Sequence, residues 1–110
     1  MIIVSKHLVP SGYTGMAIYP FIIVKSQDLK RNKALINHER IHLMQQLELL
    51  IFPFFVWYLL EFLYRYIKEG NWHTAYRNIS FEREAYDNEE HLGYLKKRQV
   101  WNFLKYLCKA

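Results

Sequence analysis

One cysteine, four glycines and three prolines are all that 110 residues contain of these types. The lone Cys108 excludes an intrachain disulfide and a cysteine-built zinc knuckle, and it favours a reducing compartment. So little glycine and proline leaves no material for flexible linkers or low-complexity tracts, and no internal repeat is visible. Residues 1–110 are therefore expected to form a single domain. The opening Met1-Ile2-Ile3-Val4-Ser5-Lys6 lacks a basic segment ahead of its short apolar run, so no signal peptide is expected and the expected location is the cytoplasm. Long apolar runs are missing too. The stretch that invites a membrane reading, Leu49 to Leu60, is twelve residues without a charge and contains Pro53, whereas a spanning helix needs roughly twenty apolar residues. A buried core helix over residues 54–68 is the expectation. Its Trp57, Tyr58, Tyr64 and Tyr66 leave a membrane surface as an alternative partner for that aromatic helix.

Acidic residues are the minority, ten against fifteen Lys and Arg, which leaves a net charge of +5. The basic residues gather at Lys25, Lys30, Arg31 and Lys33, and again at Lys96, Lys97 and Arg98. Such clusters suit nucleic acid or an anionic membrane. Neither interleaves Arg with aromatic residues as nucleic-acid modules do, so solvated surface is the simpler reading and a nucleic-acid partner is not expected. What the chain has in quantity is apolar side chain: 52% hydrophobic, with seven Phe, nine Tyr and three Trp. A domain this small buries only about two-thirds of its unfolded surface, and large aromatic residues are what make such a core dense.

The fold class expected is α+β: a small N-terminal antiparallel sheet in residues 1–30, then a mostly helical region in residues 31–110 with three to four helices. Met1 to Val4 is short and β-branched, Pro10-Ser11-Gly12 is a turn signal, and Gly15 to Val24 reads as a strand that Pro20 places at an edge or divides in two. From Asn32 the period becomes helical, with Ile36, Leu43, Leu47 and Leu50 on one stripe and His38, His42 and Gln45 on a neighbouring face. Pro53 is expected to end that helix near Ile51. A second helix spans about Phe54 to Lys68, with Glu61 and Arg65 in the favoured order for an ion pair, and Gly70-Asn71 as its stop. Trp72 to Ile79 reads as a partly ordered loop. Ser80 is a plausible cap for a third helix running to about Leu92, where Gly93 bends or ends it. A last helical stretch through Val100, Trp101, Leu104, Leu107 and Cys108 is expected to pack on the second helix.

Within the first helix stands His38-Glu39-Arg40-Ile41-His42. Histidines four residues apart lie one turn apart on one helix face, where two imidazoles can grip one zinc ion. The Glu between them is placed to handle the proton of a water. Two ligands do not complete a catalytic zinc site, which ordinarily takes three from the protein and leaves a position for water. Candidates for the third are Glu82, Glu84, Asp87, Glu89, Glu90, His73, His91 and His7. At 100° per residue, Phe81, Ala85, Asn88, Leu92 and Leu95 form the inward stripe of the third helix. Glu84 lies at its margin, and Glu82 lies nearly opposite, where a solvated residue is the simplest reading. Glu84 is thus the favoured ligand, with His91 as its competitor or as a residue that steadies a ligand.

His38-Glu39-Arg40-Ile41-His42, followed some forty residues later by Phe81-Glu82-Arg83-Glu84-Ala85-Tyr86, resembles the zincin metallopeptidases of the gluzincin type. The short length, with strands before the motif helix and a Glu-bearing helix after it, is similar to the minigluzincins. The resemblance covers about residues 34–88. It implies a zincin-like core, His38, His42 and Glu84 as zinc ligands, Glu39 as general base, and hydrolysis of a peptide or protein substrate. Four residues after the Glu ligand, thermolysin-like relatives carry an Asp, and here Asn88 stands there. Its carbonyl can still accept a hydrogen bond from an imidazole N–H, without the charge. Tyr76, Tyr86, Tyr94, His73 and His91 are all available to stabilise an oxyanion, and an extended peptide could pair with the strand near Ala17 to Val24. The alternatives are a zinc domain closed by a fourth protein ligand such as His91, and a latent enzyme covered by the tail around Trp101 to Leu107.

Overall fold

A computed structural model describes residues 1–107; Cys108 lies outside the described residues. The fold is α+β. Strands β1 (Ile2–Val4), β2 (Gly15–Ile18) and β3 (Phe21–Val24) form one sheet in the order β1-β3-β2. The sheet is mixed, not antiparallel as expected: β1 runs parallel to β3, pairing Ile2 with Ile22, while β2 is antiparallel to it, pairing Ala17 with Ile22. The physical reason lies in β3. Its Phe-Ile-Ile-Val is apolar throughout and takes the centre, with Ile22, Ile23 and Val24 buried, so that the loop after β1 must carry the chain past it before the β2–β3 hairpin returns. Tyr19 and Pro20, joined by a cis peptide, form the hairpin turn. β2 is left as an edge, and Pro20 divides the long apolar run as the sequence indicates.

After a 3-10 turn at Gln27–Arg31 comes α1 (Lys33–Glu48), capped by the Asn32 side chain, which accepts from the Leu35 amide at 3.1 Å. Its buried side is largely polar: Asn37, His38, Glu39, His42, Gln45 and Gln46 join Ile36 and Ile41. Leu47 and Leu50, assigned by periodicity to the buried stripe, are exposed. α1 divides two apolar clusters. One, around Ile22, Val24 and Ile36, fills the space between the sheet and α1. The other joins Phe54, Phe62, Ala75, Ile79, Phe81 and Phe103 from the later elements.

α1 ends at Glu48, and Leu50 and Ile51 adopt positive φ values of 61° and 53°, a left-handed geometry that L-residues enter only at a cost. This reversal turns the chain through 111° into α2 (Phe52–Glu69), whose first turn holds Pro53. Proline tolerates that position because its missing N–H has no helical partner there. The expected Glu61–Arg65 pair does not form among the described residues. Glu61 accepts from the Ser80 amide and, at 2.7 Å, from its hydroxyl, while Arg65 donates to the Leu107 carbonyl at 3.0 Å. No single described helix is long and apolar enough to cross a membrane. Contrary to the core-helix expectation, α2 carries apolar residues on both faces. Phe54 and Phe62 point inward, but Phe52, Phe55, Val56, Leu59, Leu60, Leu63, Tyr64 and Ile67 are exposed.

Residues expected as loop form α3 (Trp72–Arg77), capped by Asn71. α4 (Ser80–Asn88) follows, with Ile79 rather than Ser80 as its capping residue, then α5 (Tyr94–Lys97) and α6 (Leu104–Leu107). The carboxylate at the α4 N-terminus is supplied by Glu61 of α2, a favourable placement against the helix dipole. Phe103 is fully buried against Phe81 and Trp57, but Val100, Trp101 and Leu104, expected to face α2, are exposed. Among the described residues of that stretch only Leu104–Leu107 is helical, and Phe103 takes the buried position instead.

Candidate metal centre

α1 and α4 build the centre between them. One turn separates His38 and His42 on α1, and their Nε2 atoms stand 3.2 Å apart. The third member is Glu82 of α4. Its Oε1 lies 3.2 Å from His38 Nε2 and 3.1 Å from His42 Nε2. All three residues are at least nine-tenths buried. Tetrahedral ligands at 2.0–2.1 Å from one ion are roughly 3.3–3.4 Å from each other, so this near-equilateral triangle already has the dimensions of one face of such a site. The three side chains can hold a metal ion, and among the described residues the cluster has these three members.

Glu84, the favoured third ligand from the sequence, faces elsewhere. Its carboxylate binds the Arg98 guanidinium, accepts from the Tyr94 hydroxyl, and accepts from Gln45 Nε2 at 2.9 Å. The single inward stripe assumed for α4 fails because α4 is wedged among neighbours. Phe81 stacks into the aromatic cluster, with ring centroids 4.4 Å from Phe54 and 4.6 Å from Phe103. Glu82 on its next side meets α1, and Glu84 meets the C-terminal segment. A helix buried on several sides has no solvent face against which to read a stripe.

The surrounding hydrogen bonds fix both imidazoles. His38 Nδ1 lies 2.8 Å from Glu89 Oε1, and His42 Nδ1 lies 2.8 Å from Gln45 Oε1. Each ring thus turns its Nε2 toward the cluster, an orientation metal-binding histidines normally receive from such partners. Gln45 is itself held by Glu84 and by the Phe81 carbonyl. Glu84 therefore acts on the site at one remove, through Gln45 and His42. Asn88 does not reach an imidazole; it donates to the Glu84 carbonyl and to the Tyr106 hydroxyl. Glu89 takes that role instead and brings a charge with it. Asn37 pins this end of α4, donating to the carbonyls of Asn88, Glu89 and His91 at 3.0–3.1 Å. The His91 side chain is exposed and outside the cluster. Tyr86 packs edge-on against His38, ring centroids 4.5 Å apart, and its hydroxyl is 3.2 Å from that of Tyr76.

Burial opposes charge in this cluster, and the pairing overrides it. Alone it would lower the His42 pKa, but the Glu82 carboxylate raises it to about 9. Burial would likewise raise Glu82, yet the His42 and His38 imidazoles hold it well below the usual carboxylate range. Glu39 is different. Burial dominates there and holds its carboxyl above the ordinary value against the pull of both histidines. Tyr58 donates to Glu82 Oε2 at 2.6 Å, leaving Oε1 to face the histidines.

No family model, curated protein or solved structure matches the chain. The chemistry of the site is therefore argued from its own geometry. Two clefts meet at Tyr13, Gly15, His38, Glu39 and Tyr76. The larger, ≈ 460 Å³, is walled by Ile18, Phe54, Tyr58, Phe62 and Trp72, with His42 and Glu82 also in its lining. The smaller, ≈ 350 Å³, is polar and takes in Thr14, Asn32, Glu89 and Glu90. Gly15 lets β2 pass close over Glu39: a Cβ there would stand 3.3 Å from the Ile23 carbonyl oxygen and 3.5 Å from Glu39 Oε2. The helical period already places Gln45, three residues beyond His42, on the face of the two histidines, though it does not reveal that Gln45 orients His42. Glu82, Glu89, Tyr58 and Gly15 depend on how distant elements meet.

Proposed function

We propose that the chain is a zinc-dependent metallopeptidase with His38, His42 and Glu82 as the metal ligands and Glu39 as general base. The observation that carries the reading is the triangle of Nε2, Nε2 and Oε1 at 3.1–3.2 Å, opening onto a cleft that Glu39 also lines. Two imidazole nitrogens and one carboxylate oxygen are a donor set suited to zinc, and three protein ligands leave a coordination position open for catalysis. When bound, zinc supplies a Lewis acid that polarises a carbonyl and brings the acidity of a water to near neutral pH. Glu39 is beside the ligands but not among them. Its carboxylate takes the proton from the attacking water and hands it to the leaving amine, and burial raises its pKa, the direction that favours accepting that proton. Tyr76 lines both clefts, and burial with the nearby Glu82 charge keeps its hydroxyl protonated. That makes it a hydrogen-bond donor for the developing oxyanion. Glu39→Gln tests the reading: zinc content is retained, and peptide turnover falls by about 10²–10⁴-fold. Undiminished turnover would remove Glu39 from the mechanism.

A second reading concerns location and rests on α2. Its exposed residues Phe52, Phe55, Val56, Leu59, Leu60, Leu63 and Ile67 recur at three- and four-residue steps along the whole helix. A charge-free apolar stripe of this length on a chain of net charge +5 fits an anionic membrane surface, with the helix lying in the interface. Co-sedimentation with anionic vesicles, lost in Leu60→Glu/Ile67→Glu, is the expected result. Equal recovery of wild type and variant in the supernatant would contradict it.

A further inference from the structure

Gln46 stands one turn beyond His42 on α1, is 1% exposed, and ties the motif helix to the edge strand. Its Nε2 donates to the Ala17 carbonyl at 2.8 Å, and its Oε1 accepts from the Tyr19 amide at 2.7 Å. These two backbone groups belong to the free edge of β2. The Lys25 amide donates to the Thr14 carbonyl, and β2 pairs Met16 with Ile23 and Ile18 with Phe21. In an antiparallel ladder, residues bonded to the partner strand alternate with residues whose amide and carbonyl point away. Thr14, Met16 and Ile18 thus face β3, while Gly15, Ala17 and Tyr19 face outward. A single carboxamide occupies the outward groups next in line after the Ala17 amide.

We propose that Gln46 is a specificity-determining residue that ends the peptide-binding edge, restricting backbone pairing of a bound peptide to Gly15 and the Ala17 amide. The inference rests on the peptidase reading. Gly15 is the outward residue over Glu39, so the residue of β2 whose amide and carbonyl are both open among the described residues lies beside the proposed general base. A peptide added antiparallel to β2 places its N-terminal residues toward Tyr19, where Gln46 already fills the backbone positions. Residues far to the N-terminal side of the reacting bond therefore gain no backbone hydrogen bonds. The favoured substrates are peptides with a short N-terminal extension, held there by the apolar cleft that Ile18 and Phe54 line.

The test uses zinc-loaded full-length chain carrying Glu39→Gln, with and without Gln46→Ala or Gln46→Ser, and a ladder of Ala/Leu peptides lengthened one residue at a time at the N-terminus. With Gln46 present, the Kd falls over the first steps and then reaches a plateau. Without it, two more backbone bonds become available and the longer peptides bind about tenfold more tightly, while the shortest bind as before. Amide exchange adds a direct readout. The Tyr19 amide is protected with Gln46 present, and in the Gln46 variants it is protected only by a long peptide. The proposal is overturned if affinity with Gln46 present keeps climbing with length, if the variants show the same plateau, or if they lose affinity equally at all lengths. Absence of binding by every peptide to every form overturns the peptidase reading as well, which separates the two failures.

Discussion

Arg98→Met removes the cation that Glu84 and Glu48 share while keeping most of the side chain's apolar stem. The Arg98 side chain is 2% exposed, and its guanidinium contacts both oxygens of each carboxylate. Breaking a buried ion pair by deleting one partner costs about 3–5 kcal/mol, because the other charge stays buried. Glu84 keeps its bonds from Tyr94 and Gln45, so the lower end, ~3 kcal/mol, applies. At ~4 °C per kcal/mol for a domain of this size, Tm falls by ~12 °C. The pH dependence carries a sign. Burial would raise the Glu84 pKa, but hydrogen bonds from Arg98, Tyr94 and Gln45 hold it below the ordinary 4.5. In the wild type this carboxylate therefore contributes stability above pH 4.5, and the contribution is lost as pH falls through its lower folded value. Without Arg98 burial dominates, the folded pKa rises above the unfolded one, and the contribution reverses. The gap in urea stability between the two proteins is then widest near neutral pH and narrows toward pH 4, with tryptophan fluorescence as the probe. A loss below ~1 kcal/mol, the scale of an exposed pair, or a gap that does not change with pH would refute this account of the network.

Two further outcomes follow from the same contacts. Gln45→Leu removes the acceptor for the His42 Nδ1 proton and unlinks Glu84 from the site, so zinc affinity measured by chelator competition falls about 10–100-fold; unchanged affinity would mean that Gln45 does not orient His42. Free zinc at ~100 times its Kd stabilises the fold by ~2.7 kcal/mol, or roughly 10 °C in Tm. A chelator should reverse that gain and Glu82→Ala should abolish it, whereas identical melting of all three samples would contradict metal binding to the folded state.

The motif was legible because its chemistry is local. His38, Glu39 and His42 lie within five residues on one helix, and their mutual placement follows from helical period alone. The strands and the break at Pro53 were legible for the same reason. The third ligand was not local. Whether Glu82 or Glu84 faces α1 depends on how α4 is rotated when Phe81 enters the aromatic cluster and Arg98 returns from ten residues beyond Asn88 to claim Glu84. The sheet's mixed topology is likewise a property of which strand takes the centre. Leu47 and Leu50 were misplaced because α1 buries a polar face, which hydrophobic periodicity ranks last. Here the wedge of Asn37, His38, Glu39, His42, Gln45 and Gln46 between two apolar clusters is the feature that sets the fold apart from its hydrophobic pattern.

Elemental analysis of the purified chain beside Glu82→Ala and Glu84→Ala tests the central claim most directly. The wild type should carry about one zinc per chain, Glu84→Ala should retain bound zinc at reduced affinity, and Glu82→Ala should lose it. Full zinc content in Glu82→Ala together with its loss in Glu84→Ala would contradict the assignment of the metal centre.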